Sequence, residues 1–439
     1  MRSLVADTRP LQEEHFRRLW LANIVTVVGA QLTVVAVPAQ IYADTGSSAY
    51  VGLTGVFGLV PLIVFGLYGG ALADVFDRRT ILVVTTVGLI VTSGLFWLQA
   101  ALGGTNVWLL LSLFAVQQAF FAVNQPTRSA VLPKILPLEL LPAANSLNMT
   151  VFQAGAIGGP LLAGVLIPVV GLEWLYLVDT VTLFATLIAV VRLPSLAVVD
   201  AATTTPGVRA VVEGFAYLRH QPVLLMSFVV DLIAMIFGMP RALFPEIAHV
   251  DFGGPEAGGL VFALLFAAIP AGAVLGGVFS GWVSRVEAQG RAVIVCILVW
   301  GVAMIGFGLA VGLADRAATT MLVIALLMLV VGGAADMASA AFRTSMLQSA
   351  ADDAVRGRLQ GVFIVVVAGG PRIADVVHGA AAAMVGTAAA AAGGGVLVVI
   401  GTVVAALLVP SFVRYRITRD PRRGAPVGRP LARRAAGRR

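Results

Sequence analysis

Twelve long apolar runs constrain the fold of this chain more than any other feature. A helix needs about 20 apolar residues to cross the roughly 30 Å of hydrocarbon in a membrane, where backbone groups can be satisfied only within the helix itself. Hydrophobic residues make up 59% of the 439 residues and charged residues 12%, whereas roughly 25% of residues in soluble domains are charged. The pattern predicts an all-α integral membrane protein with 12 transmembrane helices and excludes a strand barrel, whose alternating segments are absent. The runs lie near residues 17–42, 50–73, 80–102, 107–130, 142–168, 172–193, 222–246, 258–283, 291–313, 318–342, 359–385 and 393–413.

The distribution of lysine and arginine predicts the orientation. If the N-terminus lies inside, 26 of the 29 cations fall on one side of the membrane, a count that assigns Arg128 and Arg343 to loops. Arg316 then falls in an outer loop, and Arg241 and Arg372 lie within predicted helices. The positive-inside rule therefore predicts a multi-pass protein of a bacterial plasma membrane with both termini in the cytoplasm.

The basic tail and the single cysteine limit the partners. Ten arginines follow the last apolar run, so the tail at 414–439 is predicted to be disordered and to attract anionic lipid headgroups rather than nucleic acid. Cys296 lies inside a predicted helix, which excludes an internal disulfide and leaves no metal cluster. We expect a monomer without a cofactor, whose partners are a small-molecule substrate, protons and lipids.

The two halves of the chain echo each other. A polar interval at 194–221, with an amphipathic stretch that reads VRAVVEGFAYLRH, separates a bundle at 1–193 from a bundle at 222–413. Parallel repeats of this kind form two bundles that rock about a central site, so the substrate site is predicted between them. The matched landmarks are Gly70 with Gly277, Arg78 with Arg285, PTRSAVLPKIL with AFRTSMLQSAA, and Gly158-Gly159-Pro160 with Gly369-Gly370-Pro371.

The stretch GGALADVFDRR, between the second and third runs, carries the most specific motif. It resembles the loop motif of the major facilitator superfamily, in which a glycine precedes an aspartate by four residues and a basic pair follows. The chain departs from that motif at Val75, where a basic residue is usual, and at Asp77, where glycine is usual. The motif positions are filled by Gly70, Asp74, Arg78 and Arg79.

Within this superfamily the chain is similar to the enterobactin-exporter-like branch, which also contains drug exporters. The similarity covers nearly the whole chain and rests on VAVPAQIYADTGSS, PTRSAVLPKI, LPAANSL and GPRIAD. It implies two pseudo-symmetric six-helix bundles and alternating access. It also implies that Gly70 allows close helix packing and that Asp74 caps a helix at the cytoplasmic gate. The alternative is that Asp74 and Arg78 are ordinary hydrated loop residues.

Ionisable residues within the predicted helices are the candidate functional groups, because a charge in hydrocarbon costs several kcal/mol unless it is paired or hydrated. Arg372, Asp375 and His378 follow each other at spacings of three and are predicted to form one stripe that faces the central cavity. Asp375 is the first candidate for proton coupling, with His378 as a relay, and Arg372 is a candidate for binding substrate. A static salt bridge within the eleventh helix is the alternative.

Further polar residues extend this set. Asp231 is the second candidate for proton coupling, whereas Arg241 is expected to reach the headgroups. Asp179 and Asp336 are either hydrated and structural or functional. The fourth helix is expected to lack the embedded arginine of many proton-coupled drug antiporters. The candidate substrate contacts of the first half are Gln31, Thr33, Gln117, Gln118 and Gln153.

Together these features predict a proton-driven secondary exporter of a small amphiphilic molecule, such as a siderophore-like compound or a drug. An enzyme is disfavoured because no HExxH, cysteine cluster or phosphate-binding GxxxxGK[ST] is present. A nutrient importer and a non-transporting sensor or scaffold on the same fold remain alternatives, since fold alone does not dictate activity.

Overall fold

The computed structural model describes residues 7–195, 216–350, 356–419 and 426–428, and it leaves side chains undescribed at 67–75, 284, 348–350, 356–365, 367–368, 417–419 and 426–428. Twelve long helices make up most of these residues. In chain order they are α1 Glu14–Thr45, α2 Ser48–Val75, α3 Arg78–Ala101, α4 Val107–Ile135, α5 Leu141–Val170, α6 Leu172–Val191, α7 Pro222–Gly238, α8 Leu260–Val278, α9 Gln289–Gly312, α10 Ala318–Ala350, α11 Arg356–Val385 and α12 Thr387–Leu408.

The helices agree with the twelve predicted spans. Eleven helical segments of the described residues are long and apolar enough to cross a membrane. The eleventh predicted span, 359–385, which is not among these segments, coincides with α11. The prediction of an all-α membrane protein is therefore confirmed.

The seventh predicted span is not one continuous helix. α7 ends at Gly238, and a 3-10 turn at Arg241–Leu243 and a π-helix at Ile247–Asp251 complete the crossing. The break falls next to Pro240, which has no N–H to donate and disfavours helical geometry in the residue before it. Arg241 therefore begins a separate 3-10 turn and is not part of α7.

α4 and α10 are longer than predicted. PTRSAVLPKI was expected in a loop, but α4 continues through it to Ile135 despite Pro126 and Pro133. α10 likewise continues to Ala350. Arg128 and Arg343 are therefore helical residues and not loop cations, which removes both from the charge count around the membrane.

The two bundles meet closely at one end of the molecule, the distal end, which carries the turn between α1 and α2. α2 packs against α11 and α5 against α8. A Cβ atom on Gly52 would lie 2.6 Å from the carbonyl oxygen of Asp375, so these backbones touch only because glycine has no side chain. The Gly259 N–H donates to the Gly164 carbonyl over 2.8 Å, and the Ser48 N–H donates to Glu246 over 3.2 Å.

The described part of the basic tail contains one pair of short strands, and the prediction that the tail is disordered stays a prediction. Strands β1 Ile417–Arg419 and β2 Pro426–Gly428 pair in antiparallel register. Most of the predicted amphipathic segment between the bundles lies outside the described residues.

Candidate functional site

Three cavities of decreasing size follow one another from the terminal end, where α1 begins, toward the distal end. The terminal cavity measures about 500 Å³ and lies among α1, α4 and α5. The central cavity measures about 200 Å³, and the apical cavity about 60 Å³. Arg128 lines both the terminal and the central cavity, and Arg372 lines both the central and the apical cavity. An arginine thus stands at each junction.

The central cavity is the candidate substrate site. Arg372 reaches it from α11, and its other lining residues come from α1, α3, α4 and α6. It therefore lies mainly within the first bundle, and Arg372 is the lining residue that the second bundle contributes. Its walls combine hydrogen-bonding groups with aromatic rings, a composition suited to an amphiphilic ligand. Residues that line it include Asn23, Thr33, Phe114, Gln117, Gln118, Phe121, Asn124, Arg128 and Asp179.

Arg372 connects the two bundles across this cavity. Its Nη2 donates a hydrogen bond of 3.1 Å to Gln118 Oε1 of α4. Its guanidinium carbon lies 5.2 Å from the centroid of the Phe114 ring, which places the cation over the aromatic face. The absence of a side chain on Gly58 leaves room for the guanidinium, because a Cβ atom there would lie 3.0 Å from Nε. The structure thus brings together two separately predicted substrate-binding candidates, Arg372 and Gln118.

The apical cavity gathers two cations and one carboxylate. Arg241, Arg372 and Asp375 all line it, and Asp375 lies within electrostatic range of both arginines. Asp375 is 9% exposed and has no hydrogen bond or ion pair with a described residue. Arg241 lines this cavity although the residue is exposed, and the expectation that it reaches the headgroups stays a prediction.

His378 does not share the cavity-facing stripe with Arg372 and Asp375. It is 2% exposed, and its Nε2 lies 3.1 Å from the Phe237 carbonyl oxygen of α7. It also packs against Gly394 of α12. The physical reason is helix geometry: six residues turn an α-helix by about 600°, so His378 lies about 120° around α11 from Arg372. Of the three, Arg372 lines the central cavity, Asp375 lines only the apical cavity and His378 lines neither, so the predicted single stripe facing the central cavity is not seen.

The glutamines of the first half divide into two groups. Gln117 and Gln118 of α4 line the central cavity. Gln31 instead packs against Gly155 and Gly159 of α5, and neither Gln31 nor Gln153 lines the three cavities. Of the five predicted contacts, Thr33, Gln117 and Gln118 line the central cavity in this conformation, and Gln31 and Gln153 do not.

A second charged cluster lies within the second bundle, at 222–413. Asp231 of α7 forms an ion pair with Arg343 of α10, and both side chains are nearly buried. Arg343 Nη2 also lies 3.9 Å from Asp336 Oδ1, and the Asp336 side chain is 29% exposed. One arginine thus lies within ion-pair distance of two carboxylates. The sequence identified both acids but missed their partner, because Arg343 was assigned to a loop.

Sequence reasoning also missed Arg128. Its Nη2 donates to the Leu19 carbonyl over 3.4 Å, and it shares the lining of two cavities with Asn23. The expectation of a fourth helix without an embedded arginine is therefore wrong. The match between PTRSAVL and AFRTSML was the signal that could have placed Arg128 and Arg343 together inside helices.

Side chains are described for only part of the motif GGALADVFDRR, which ends at the start of α3. Gly70 and Asp74 lie in the final turns of α2, where side chains are not described. Arg78 Nη1 donates to the Ala130 carbonyl over 3.4 Å, and Arg79 Nη2 donates to the Val191 carbonyl over 2.6 Å. Asp77, which departs from the usual glycine, accepts from the Arg79 N–H over 2.8 Å and caps α3.

Comparisons with known proteins agree with this architecture. The chain is 27% identical to the enterobactin exporter EntS of Shigella boydii over 354 residues, which cover 79% of this chain and 80% of that protein. It is 28% identical to EntS of Escherichia coli over 353 residues, with the same coverage. Both relatives are exporters and not enzymes.

Solved structures show the same fold at low sequence identity. A bacterial homologue of the lysosomal transporter Spinster matches with a TM-score of 0.66 and 16% identity, covering 93% of this chain and 97% of that one. A bacterial homologue of the iron transporter ferroportin matches with a TM-score of 0.65 and 16% identity, covering 91% and 98%. The family model described as transmembrane secretion effector matches residues 5–422. The chain therefore belongs to the transmembrane secretion effector family of major facilitator transporters.

Proposed function

We propose that this protein is a proton-driven exporter that moves a small amphiphilic molecule, such as a siderophore-like compound or a drug, out of a bacterial cytoplasm. The names of the curated relatives support export. In this proposal the protein acts as a monomer whose bundles at 1–193 and 222–413, joined by the linker at 194–221, rock about a central site. Both termini lie in the cytoplasm, and the tail contacts anionic headgroups.

The observation that carries the proposal is the series of cavities that narrows toward Arg372 and Asp375. The wide members of the series lie toward the terminal end, whereas glycine contacts bring the bundles together at the distal end. Such an arrangement exposes a central site to one side only, as alternating access requires. Separating α2 from α11 would expose the site to the other side.

Arg372 supplies a physical means of coupling. It bonds Gln118 of the first bundle, and it lies one helical turn from Asp375 in the second. An ionised Asp375 attracts the guanidinium toward α11, whereas a protonated Asp375 leaves it free to bridge to Gln118. The protonation state of Asp375 thereby biases whether the bundles are joined across the cavity.

The other candidates take secondary places in the proposal. Asp231 is the second proton-coupling candidate, although its ion pair with Arg343 favours the ionised form. His378 acts at most as a modulator through its contact with Phe237.

Substrate binding is assigned to the groups that line the central cavity in this conformation. Gln117, Gln118 and Arg372 provide its hydrogen bonds. A role for Gln31 and Gln153 requires a change in how α1 and α5 pack. The predicted gate at Gly70, Asp74, Arg78 and Arg79 stays part of the proposal.

Replacing Asp375 tests the coupling. Metabolite profiling of cells with and without the protein identifies the exported compound, and its flux is then followed in proteoliposomes. We expect Asp375→Asn to lose at least about tenfold of the flux driven by a pH gradient, because the uncharged amide cannot exchange a proton. Exchange of cargo without a gradient should persist.

Asp315→Asn is the matched control, since Asp315 is an exposed carboxylate outside the cavities. Undiminished gradient-driven flux in Asp375→Asn would refute the coupling assignment. Absence of any flux in the unmodified protein would refute transport itself.

A further inference from the structure

Asp179 of α6 is a buried carboxylate that the proposed coupling does not use. Its side chain lines the central cavity, and the residue is only 2% exposed. It lies in the first bundle, whereas Asp375 and Asp231 belong to the second.

Three helices converge on this carboxylate. Asp179 Oδ2 accepts a hydrogen bond of 2.7 Å from Thr33 Oγ1 of α1 and one of 2.9 Å from Ser93 Oγ of α3. Gly29 lets α1 approach, because a Cβ atom there would lie 2.8 Å from the Asp179 Cα. The second carboxylate oxygen of Asp179, Oδ1, is buried and has no hydrogen-bond partner among the described residues.

No described cation pairs with Asp179. The two arginines of the same cavity are engaged elsewhere, Arg128 with the Leu19 carbonyl and Arg372 with Gln118. The nearest titratable group on α6, Tyr176, donates its hydroxyl to Gln40 over 2.9 Å. The groups that face the carboxylate from α1 and α3 are the neutral hydroxyls of Thr33 and Ser93. Asp179 thus differs from Asp231, which has Arg343.

The chemistry of such a site favours a bound proton. An ionised carboxylate in a medium of low dielectric is costly unless a cation or several hydrogen-bond donors compensate it. Two hydroxyl donors satisfy Oδ2, and they can also donate, though more weakly, to the carbonyl oxygen of a neutral acid. The unpartnered Oδ1 is where an uncompensated charge would reside, and a proton there removes the charge.

We propose that Asp179 is a proton-binding site of the central cavity, occupied in the conformation described here and emptied when the cavity hydrates Oδ1. A proton leaving this site changes the charge at the contact of α1, α3 and α6. The use made of this proton rests on the proposed proton-driven export, whereas the binding of the proton to Asp179 does not.

Infrared difference spectroscopy of the full chain in lipid tests the site without any cargo or gradient. A pH step changes the carbonyl-stretch band of protonated carboxylic acids, and we expect part of this band to disappear in Asp179→Asn. The whole band should persist in Asp315→Asn, because the Asp315 carboxylate that this variant removes is exposed. A spectrum of Asp179→Asn identical to that of the unmodified protein would overturn the proposal.

Two variants retain the acid and guard against misfolding of Asp179→Asn. Thr33→Val and Ser93→Ala each remove a donor to the carboxylate and so destabilise its ionised form. We expect the band to persist to a pH higher by about one unit, since a hydrogen bond to a charged group contributes about 1.5 kcal/mol. Thr182→Val is the matched control, because its hydroxyl bonds the Asp179 backbone carbonyl over 2.9 Å.

The two proposals fail separately. An unshifted band in both hydroxyl variants would overturn the Asp179 site and leave the export proposal intact. If the flux assay refutes export, a carboxylic-acid band that shifts in Thr33→Val and Ser93→Ala would still support the proton site at Asp179.

Discussion

Arg128 in α4 and Arg343 in α10 occupy matching places in the two halves, yet their surroundings differ. Arg343 has Asp231 as an ion-pair partner and Asp336 within 3.9 Å. Arg128 has a backbone carbonyl at 3.4 Å, and no described carboxylate lies within ion-pair distance of it. Asp231 and Asn23 each lie nine residues after the first residue of their helix, so an amide stands in the first half where an acid stands in the second.

The difference shows how one repeat can carry two roles. A buried cation with two carboxylates is locked, since moving any member exposes uncompensated charge. A cation that lines cavities without a carboxylate partner is free to meet a ligand or water. The second half therefore uses its arginine to hold α7 against α10, whereas the first half leaves its arginine at the entrance to the central cavity.

Removing Arg343 should have the largest effect on stability. Arg343→Met leaves Asp231 buried without a partner, and breaking a buried ion pair in this way costs about 3–5 kcal/mol of unfolding free energy. Chemical unfolding in mixed micelles, followed by tryptophan fluorescence, measures the loss.

The double variant Arg343→Met with Asp231→Leu is the control. It replaces the pair by apolar groups, an exchange that is often neutral, so most of the lost stability should return. A double variant as unstable as Arg343→Met would show that the pair is not the cause.

Removing Arg128 should affect stability less. Arg128→Met breaks one hydrogen bond to a backbone carbonyl, which is worth about 0.5–1.5 kcal/mol, and leaves no carboxylate unpaired. The same unfolding assay measures it, while flux should fall because the junction of two cavities loses its cation. A loss equal to that of Arg343→Met would erase the distinction between the two halves.

Much of the fold could be predicted from the sequence because lipid imposes a simple rule on chain segments. The apolar run at 172–193 and α6, Leu172–Val191, differ by two residues at one end. The run at 107–130 ends five residues before Ile135, since a hydropathy criterion treats the polar stretch around Arg128 as a loop. The hydropathy criterion assumes that only loops are hydrated, whereas cavities also hydrate polar residues within a helix.

The site was predictable in residue type more than in geometry. Arg372, Asp375 and Gln118 could be identified because each is polar within an apolar run, and the structure gathers them around adjoining cavities. The place of Arg241 in the lining of the apical cavity depends on the backbone break after Gly238, and the partner of Asp231 depends on how α7 packs against α10. Residue spacing along one helix predicts neither the place of Arg241 nor the partner of Asp231.

Converting the first half to resemble the second gives the smallest but most direct test. Asn23→Asp places a carboxylate beside Arg128, with which it shares two cavities. Because the pair stays partly hydrated, it should add about 1 kcal/mol or less of unfolding free energy. It should also slow flux, since the engaged arginine no longer meets the cargo. Combining Asn23→Asp with Arg128→Met should abolish the gain, as the new carboxylate then has no partner. A stability gain that survives in the double variant would mean that Asn23 and Arg128 are not coupled, and that the two halves differ for another reason.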